Sequence, residues 1–295
     1  MGVCRSEKVV SEVAAQSVVN ILMLSAIYIL VALGFALLLN VLGILNFAHG
    51  AIYMVGGYIC YELIMGVGIN QWISLLISTV TVGLLGLAME RVFFRPFLGD
   101  MNRTVVITLG LIIILVATIN VTVGSYIRRI PSFVPWILRS GGISVSGDRL
   151  ATFAIGSLLL VAAILFIRKT KTGLQMLAIS QDRDSAALQG IKIHRIFAVT
   201  TAIGCALAAV AGSLMGAVLS LSPLMGDNML IKAIEIVIMA GIGSIGGVLI
   251  GGLILGAVDA ILPLFISGSA TDLIGLSIII VLLLLRPQGL FGHEA

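Results

Sequence analysis

Charged residues are scarce in this 295-residue chain, at 10% of positions against 60% hydrophobic residues. A soluble domain carries about 25% charged residues. A chain with so little charge could not cover a surface that faces water, so the composition excludes an ordinary soluble protein. Several stretches of about 20 apolar residues, the length that crosses a bilayer core, follow one another along the sequence. The predicted environment is therefore the lipid bilayer.

The motifs of common catalytic, metal and nucleotide sites are also missing. The sequence contains no H-E-x-x-H and no G-x-S-x-G, and its three histidines lie far apart. Its three cysteines are scattered, which indicates small core residues rather than a disulfide framework or a zinc site. No basic stripe interleaved with aromatics points to nucleic acid. We therefore expect neither an enzyme nor a metal site, and no nucleic-acid partner.

The apolar windows predict an all-α, polytopic integral membrane protein with about eight or nine transmembrane helices and a broken or re-entrant segment. No linker or low-complexity tract divides the chain, so residues 1–295 are predicted to form a single transmembrane domain. Four glycines between 241 and 247 predict a break between two of the helices, since glycine is a poor helix-interior residue. The windows are 18–39, 50–66, 71–89, 104–124, 150–167, 197–219, 231–243, 246–265 and 272–285.

Lysine and arginine in the loops predict the orientation. Loop 90–103 carries three of them and loop 168–195 carries six, and two apolar windows separate these loops. Both loops therefore lie on one side, which the positive-inside rule makes cytoplasmic. Loop 125–149 must then be outside, although it holds four arginines. The same count leaves the N-terminus outside and returns the C-terminus to the cytoplasm.

The segment between the first two windows contains the most informative polar residues. It is too apolar for a solvated loop, yet Asn46 and His49 are costly to leave unpaired in lipid, and Gly43 and Gly50 flank them. Broken helices of this kind often line substrate paths in transporters. A structural role is equally compatible, in which Asn46 and His49 satisfy backbone groups that the break leaves free.

Two further features carry polar groups. Residues 170–190 form a polar segment whose sequence predicts a helix and a glycine stop after Leu188, either as a solvated surface helix or as one that fits a partner's groove. Lone charges also fall in apolar runs, and such residues are functional candidates. Pairing of Lys232 with Glu235, three residues apart, is the simpler explanation for those two. The lone charges are Glu62, Lys232, Glu235 and Asp259.

The run from Gly34 to Tyr58 resembles the hallmark of the bacterial branched-chain amino acid permease subunits of ABC importers. Its most specific part is Asn46-Phe-Ala-His-Gly50. The stretches 173–191, 241–247 and 286–292 are also similar to that family. The resemblance covers nearly the whole chain, and loop 125–149 is its least characteristic part.

This resemblance implies a second, related permease subunit, two cytosolic ATPase subunits and a periplasmic substrate-binding protein in the bacterial inner membrane. It implies that ATP is bound by the partner subunits, and this chain lacks the G-x-x-x-x-G-K-[ST] loop. It also implies that Asn46, His49 and Gly50 lie near the translocation path, and that segment 168–195 couples to an ATPase. The residues implied in coupling are Asp182, Arg183, Ala186, Ala187 and Gly190.

The function predicted in this way is passage of branched-chain or related small hydrophobic amino acids, driven by ATP hydrolysis in other subunits. Family members also carry urea and short amides, so an importer of those compounds is the alternative. A secondary transporter or channel working alone is less favoured, because the sequence lacks the regular series of carboxylates that an ion relay requires.

The orientation is tested by single cysteines in a background without the native ones. We expect an impermeant thiol reagent added to intact cells to modify Arg139→Cys and to leave Arg95→Cys and Lys171→Cys unmodified. All three should react once the membrane is permeabilised. Modification of Lys171→Cys in intact cells would contradict the orientation.

Overall fold

The computed structural model of the chain describes residues 2–140, 143–241 and 243–291. A single hairpin of strands β1 (Ile137–Ser140) and β2 (Ile143–Ser146) forms the one sheet in these ranges. The rest of the regular structure is helical. The helices are α1 (Gly2–Leu42), α2 (His49–Met65), α3 (Gln71–Met89), α4 (Met101–Thr122), α5 (Gly147–Lys169), α6 (Lys171–Gln181), α7 (Arg183–Leu188), α8 (Ile193–Val218), α9 (Met225–Ala240), α10 (Ile245–Ile261) and α11 (Gly268–Leu285).

Every predicted apolar window coincides with a helix, which confirms the all-α, polytopic class. In the described part of the chain, six helices are long and apolar enough to cross a bilayer, some with the turn that extends them. Helices α2, α9 and α11 also match windows but are shorter than these six spans, so the number of crossings stays a prediction. The six are Gln16–Leu42, Gln71–Phe97, Met101–Thr122, Gly147–Lys169, Ile193–Val218 and Ile245–Leu264.

Helices α1 and α8 form the centre of the molecule. The most apolar window is 83% buried in α1 and 72% buried in α8, against 22% in α4 and in α5. Helix α1 contacts α5, α8, α9 and α10, and α8 also contacts α2 and α3. Helices α4 and α5 therefore present most of their apolar surface outward, as a helix does in lipid.

Glycines allow the central helices to approach closely. Gly212 of α8 lies against the carbonyl of Tyr53 in α2, and a methyl group at position 212 would overlap that oxygen. On α10, Gly252 faces Ile29 of α1, and Gly256 faces Ser25 one turn away. Gly212 and Gly216, and Gly252 and Gly256, have the G-x-x-x-G spacing that favours close packing of helices, and these contacts are of that kind.

One end of the molecule gathers the loops that are richest in lysine and arginine. Arg183 of α7 lies over the ring of Phe197 near the start of α8, 5.2 Å from its centroid. The π-helical turn Glu90–Phe94 that follows α3 also packs against α8. Within it, the buried Glu90 receives two hydrogen bonds from Arg95, at 3.0 and 3.2 Å. Loops 90–103 and 168–195 therefore share one end, as the charge pattern predicts.

Loop 125–149 lies at the opposite end, beside the C-terminus of α8. Arg128 and Leu221 exchange backbone hydrogen bonds of 2.9 and 2.8 Å. Arg149 donates a 2.6 Å hydrogen bond to Asn20, so the apolar part of α1, Gln16–Leu42, also begins at this end. The two ends are thus separated as the charge pattern predicts. Which of them is cytoplasmic stays a prediction.

Two interruptions divide what would otherwise be long helices. Helix α1 ends at Leu42, Gly43 takes a positive φ of 70°, and residues 43–48 run back along α1. His49, the first residue of α2, lies beside Val31, near the middle of the apolar part of α1. The predicted broken segment is thus confirmed.

The second interruption precedes α9, which begins at Met225, six residues before its predicted window. Gly226 in the first turn of α9 contacts Gly50 in the first turn of α2, backbone against backbone. Helix α9 then runs to Ala240, where Gly241 (φ 85°) ends it at the predicted glycine break.

The polar segment 170–190 does not form the single helix that its sequence predicts. It divides at Asp182 into α6 and α7. Asp182 is extended, with φ −153°, and its carboxylate accepts hydrogen bonds from the N–H groups of Asp184 and Ser185. A side chain that caps a new helix so well favours a break over continuation. The predicted glycine stop is confirmed at Gly190, whose φ is 81°.

Candidate functional site

The interruption before α2 holds two buried polar side chains. Asn46 Oδ1 accepts a 3.1 Å hydrogen bond from the N–H of Ala48. His49 Nε2 lies 3.1 Å from the carbonyl oxygen of Val31, which makes Nε2 the donor. Both residues are fully buried, and neither Asn46 Nδ2 nor His49 Nδ1 has a hydrogen-bond partner among the described residues. Each side chain therefore satisfies one backbone group and keeps one polar atom free.

The N-termini of two short helices meet next to these residues. Gly50 of α2 and Gly226 of α9 touch through their backbones, so the two helices begin at one point inside the protein. The two helices lead to opposite ends: α2 to the end that holds Arg129, and α9 to the end where Gly243 N–H donates to Asn40. Discontinuous helices with facing N-termini are the arrangement that many transporters use at a substrate site.

A cavity of about 320 Å³ adjoins this junction. Its wall comes from α1, α2, the end of α8, residues 219–224, α9, α10 and α11. Ser220, Asn228 and Asp272 on this wall are exposed, so the cavity opens at the end that holds loop 125–149. It is lined by Tyr28, Tyr53, Met215, Leu219, Ser220, Ser222, Met225, Asn228, Met229, Lys232, Asp259 and Asp272.

The charged residues of the cavity form one cluster around Lys232. Its Nζ lies 3.1 Å from Asp259 Oδ2 and 3.1 Å from Asp272 Oδ1, and Glu235 Oε2 is 3.8 Å away. Tyr28 donates a 2.7 Å hydrogen bond to Asp259. One lysine therefore faces three carboxylates between apolar helices, where charges are costly unless they are paired.

The sequence identified part of this cluster. It singled out Lys232, Glu235 and Asp259 as lone charges, and the predicted pairing of Lys232 with Glu235 is present. Tyr28 and Asp272 were missed, because each lies on a different helix from Lys232 and no spacing in the sequence relates them to it. Glu62, the remaining lone charge, is exposed near the end of α2.

The residues implied in coupling lie on and around α7. Asp182, Arg183, Ala187 and Gly190 are exposed, whereas Ala186 is buried. Hydrogen bonds from the Ser185 hydroxyl, and then from the Ser185 and Asp184 N–H groups, lower the pKa of Asp182 below its usual range. Asp182 therefore stays a charged cap at the N-terminus of α7, where negative charge is favourable.

An exposed leucine completes the surface of α7. Leu188 is 90% exposed at the end of this six-residue helix. Because α7 belongs to a polar segment between α6 and α8, its exposed leucine is not explained by lipid contact along a membrane-spanning helix. The surface formed by Ala187 and Leu188 is small and apolar, with charged residues beside it.

Comparison with known proteins agrees with these features. A family model described as branched-chain amino acid transport system / permease component matches residues 17–285. The high-affinity branched-chain amino acid transport system permease protein LivH of Salmonella typhimurium is 32% identical, over 94% of this chain and 95% of the relative. Its counterpart BraD of Pseudomonas aeruginosa is 31% identical with the same coverage. A probable LivH of Methanocaldococcus jannaschii is 26% identical, over 92% of this chain and 90% of the relative.

No solved structure matches the chain. The family model nevertheless spans α2 to α11 completely, together with residues 17–42 of α1. The broken segment and the cavity both fall within the matched range. The chain belongs to the family of permease components of branched-chain amino acid transport systems.

Proposed function

We propose that this chain provides the transmembrane path for branched-chain or related small hydrophobic amino acids in an ATP-driven importer of the bacterial inner membrane. The observation that carries the proposal is similarity along nearly the whole chain to permeases named for that transport. The junction of two short helices beside a polar cavity supports it, because a path needs polar groups inside an otherwise apolar protein.

The energy for transport comes from partner subunits in this proposal. Two cytosolic ATPase subunits bind ATP, and this chain itself has no phosphate-binding loop of the usual type. A second permease subunit of the same family completes the membrane part, and a periplasmic binding protein delivers the cargo. These partners follow from the ABC importer architecture of the family.

The ATPase contact is assigned to segment 168–195, with α7 at its centre. The charged cap of Asp182 fixes the first turn of α7, and Arg183 holds the helix to Phe197 of α8. Ala187 and Leu188 are then left as an exposed apolar surface on a short, fixed helix. Such a surface suits insertion into a groove on a partner.

The cargo path is assigned to the neighbourhood of Asn46, His49 and Gly50. The free polar atoms of Asn46 and His49 support this assignment, because they can bind water or cargo without losing an existing hydrogen bond. Gly50 supports it as well, since a larger residue there would separate α2 from α9.

Uptake in cells tests the function and its alternative. Cells that lack this chain should lose uptake of labelled leucine and regain it when the chain is restored, while uptake of labelled urea stays unchanged. Labelled alanine measures how far the path accepts smaller side chains. Restored uptake of urea without leucine would favour the alternative, an importer of urea or short amides. Leucine uptake that continues without the ATPase subunits would indicate a transporter that works alone.

The coupling surface is tested by Ala187→Trp. The bulky ring should hold the ATPase off α7, so hydrolysis of ATP stimulated by the loaded binding protein should be abolished while the permease still inserts and is present at normal abundance. The control is Asn102→Trp at the exposed start of α4, outside segment 168–195, which should leave the stimulation near the wild-type level. Full stimulation in Ala187→Trp would mean that α7 is merely a solvated surface.

The path is tested by uptake per molecule of inserted permease in His49→Leu and Asn46→Ala. Loss of a buried hydrogen bond costs about 1–3 kcal/mol, so some loss of protein from the membrane is expected. Uptake per inserted molecule should fall further than abundance does. Asn120→Ala, at a residue whose hydrogen bond is exposed, serves as the control and should change neither quantity. Equal uptake per molecule in all variants would assign Asn46 and His49 to structure alone.

A further inference from the structure

We propose that the cavity around Lys232 is a transit site for the zwitterion of an amino acid. The carboxylates of Asp259 and Asp272 receive the ammonium group of the cargo, and the ammonium of Lys232 receives its carboxylate. This inference rests on the proposed function, because it names the groups inside the permease that the cargo contacts.

The balance of charge in the cluster favours an added cation. Among the described residues, Lys232 is the sole basic partner of three carboxylates, since Asp259, Asp272 and Glu235 all face it. Glu235 Oε2 is buried and receives no hydrogen bond in the same part of the chain. A cluster with a surplus of carboxylates attracts a positively charged group, and the amino group of the cargo supplies one.

An exchange of partners lets the zwitterion enter the cluster. The Asp272 side chain is 64% exposed, whereas those of Lys232 and Asp259 are 8% and 10% exposed. Asp272 can therefore release Lys232 and bind the ammonium of the cargo. The carboxylate of the cargo then takes the place of Asp272 beside Lys232. The ion pair between Lys232 and Asp272 breaks as the pairs with the cargo form, and this loss limits the net gain in binding, so the cargo binds without being trapped, which a path requires.

Methionines provide much of the apolar wall of the cavity. Met215, Met225 and Met229 line it together with Leu219. Methionine is unbranched and adapts to irregular shapes, which suits surfaces that accept several related ligands. The aliphatic side chains of leucine, isoleucine and valine differ in branching, so an adaptable wall accommodates each of them. The cavity volume of about 320 Å³ lies at the small end of the range for small-molecule sites, about 300–1,000 Å³.

The position of the cavity also fits a transit site. It opens at the end that the charge pattern makes external, where a binding protein would release its cargo. Its inner wall includes Met225, next to the contact between Gly226 and Gly50. A molecule in the cavity therefore lies close to the interrupted segment that holds Asn46 and His49.

A structural role for the cluster makes a different prediction. Lys232 of α9 also connects α10 through Asp259 and α11 through Asp272. If the ion pairs serve only to hold these helices together, their loss reduces the abundance of the protein. It then has no effect that depends on the chemistry of the cargo.

The test is protection of a cysteine from labelling. Ser220→Cys is introduced at the mouth of the cavity, in a chain without native cysteines, and the permease–ATPase complex is studied in proteoliposomes without binding protein. Leucine should slow modification by a thiosulfonate reagent. Leucinamide lacks the carboxylate and 4-methylpentanoate lacks the ammonium, so each should require a roughly tenfold higher concentration for equal protection.

Variants of the cluster separate binding from structure. Asp272→Asn should raise the leucine concentration needed for protection roughly tenfold, because a charged hydrogen-bond partner is lost. Asp227→Asn is the matched control, since Asp227 is an exposed carboxylate of α9 that neither lines the cavity nor contacts Lys232, and it should leave protection unchanged. Abundance of each complex in the membrane is measured alongside.

The outcomes distinguish this inference from the proposed function. Leucine uptake is measured in the same proteoliposomes after binding protein is added. Normal uptake without protection by leucine would overturn the transit site and leave the proposed function intact. Equal protection by leucine and either analogue would overturn the assignment of the charged groups. Absence of leucine uptake in the wild-type complex would instead contradict the proposed function itself.

Discussion

A backbone group that leaves its helix inside a bilayer has no water to bind, so another protein group must satisfy it. Both interruptions in this permease obey that constraint. In the first, the Asn46 side chain accepts from Ala48 N–H, and the Asn46 carbonyl accepts from His49 N–H. In the second, Leu221 pairs with Arg128 in both directions. These hydrogen bonds replace the helical ones that the interruptions remove. The short helices α2 and α9, and the cavity beside them, depend on them.

The same constraint accounts for two of the four arginines in loop 125–149, the loop that the charge pattern places outside. Arg129 donates to the carbonyl groups of Ala217 and Val218 at the C-terminus of α8. Arginine at this position satisfies carbonyls that the helix leaves free and is favoured by the helix dipole. Arg149 is likewise held by Asn20. These side chains have partners within the protein, so their number does not report on orientation in the way that free loop charges do.

Local features were predictable from the sequence, whereas contacts between distant segments were not. Apolar windows located the helices, and the glycines near 241 located the end of α9, because both signals act over a few residues. The break at Asp182 was missed. An aspartate inside a helix-forming stretch is interpreted as a surface residue unless the hydrogen bonds that make it a helix cap are known. The start of α9 was also misjudged by six residues.

The candidate site shows the same division. Asn46 and His49 stood out as polar residues in an apolar run, and the glycines beside them indicated a break. The cluster around Lys232 required the fold, because Tyr28, Asp259 and Asp272 come from three other helices. A sequence displays each of these charges alone and gives no sign of which ones meet.

The contact between Gly50 and Gly226 has a mechanical consequence. Two glycine backbones that touch have no side chains to interlock, so the contact fixes a point without fixing an angle. Helices α2 and α9 lead from that point toward opposite ends of the protein. The contact is thus a pivot, about which the angle between α2 and α9 can change while their N-termini stay together.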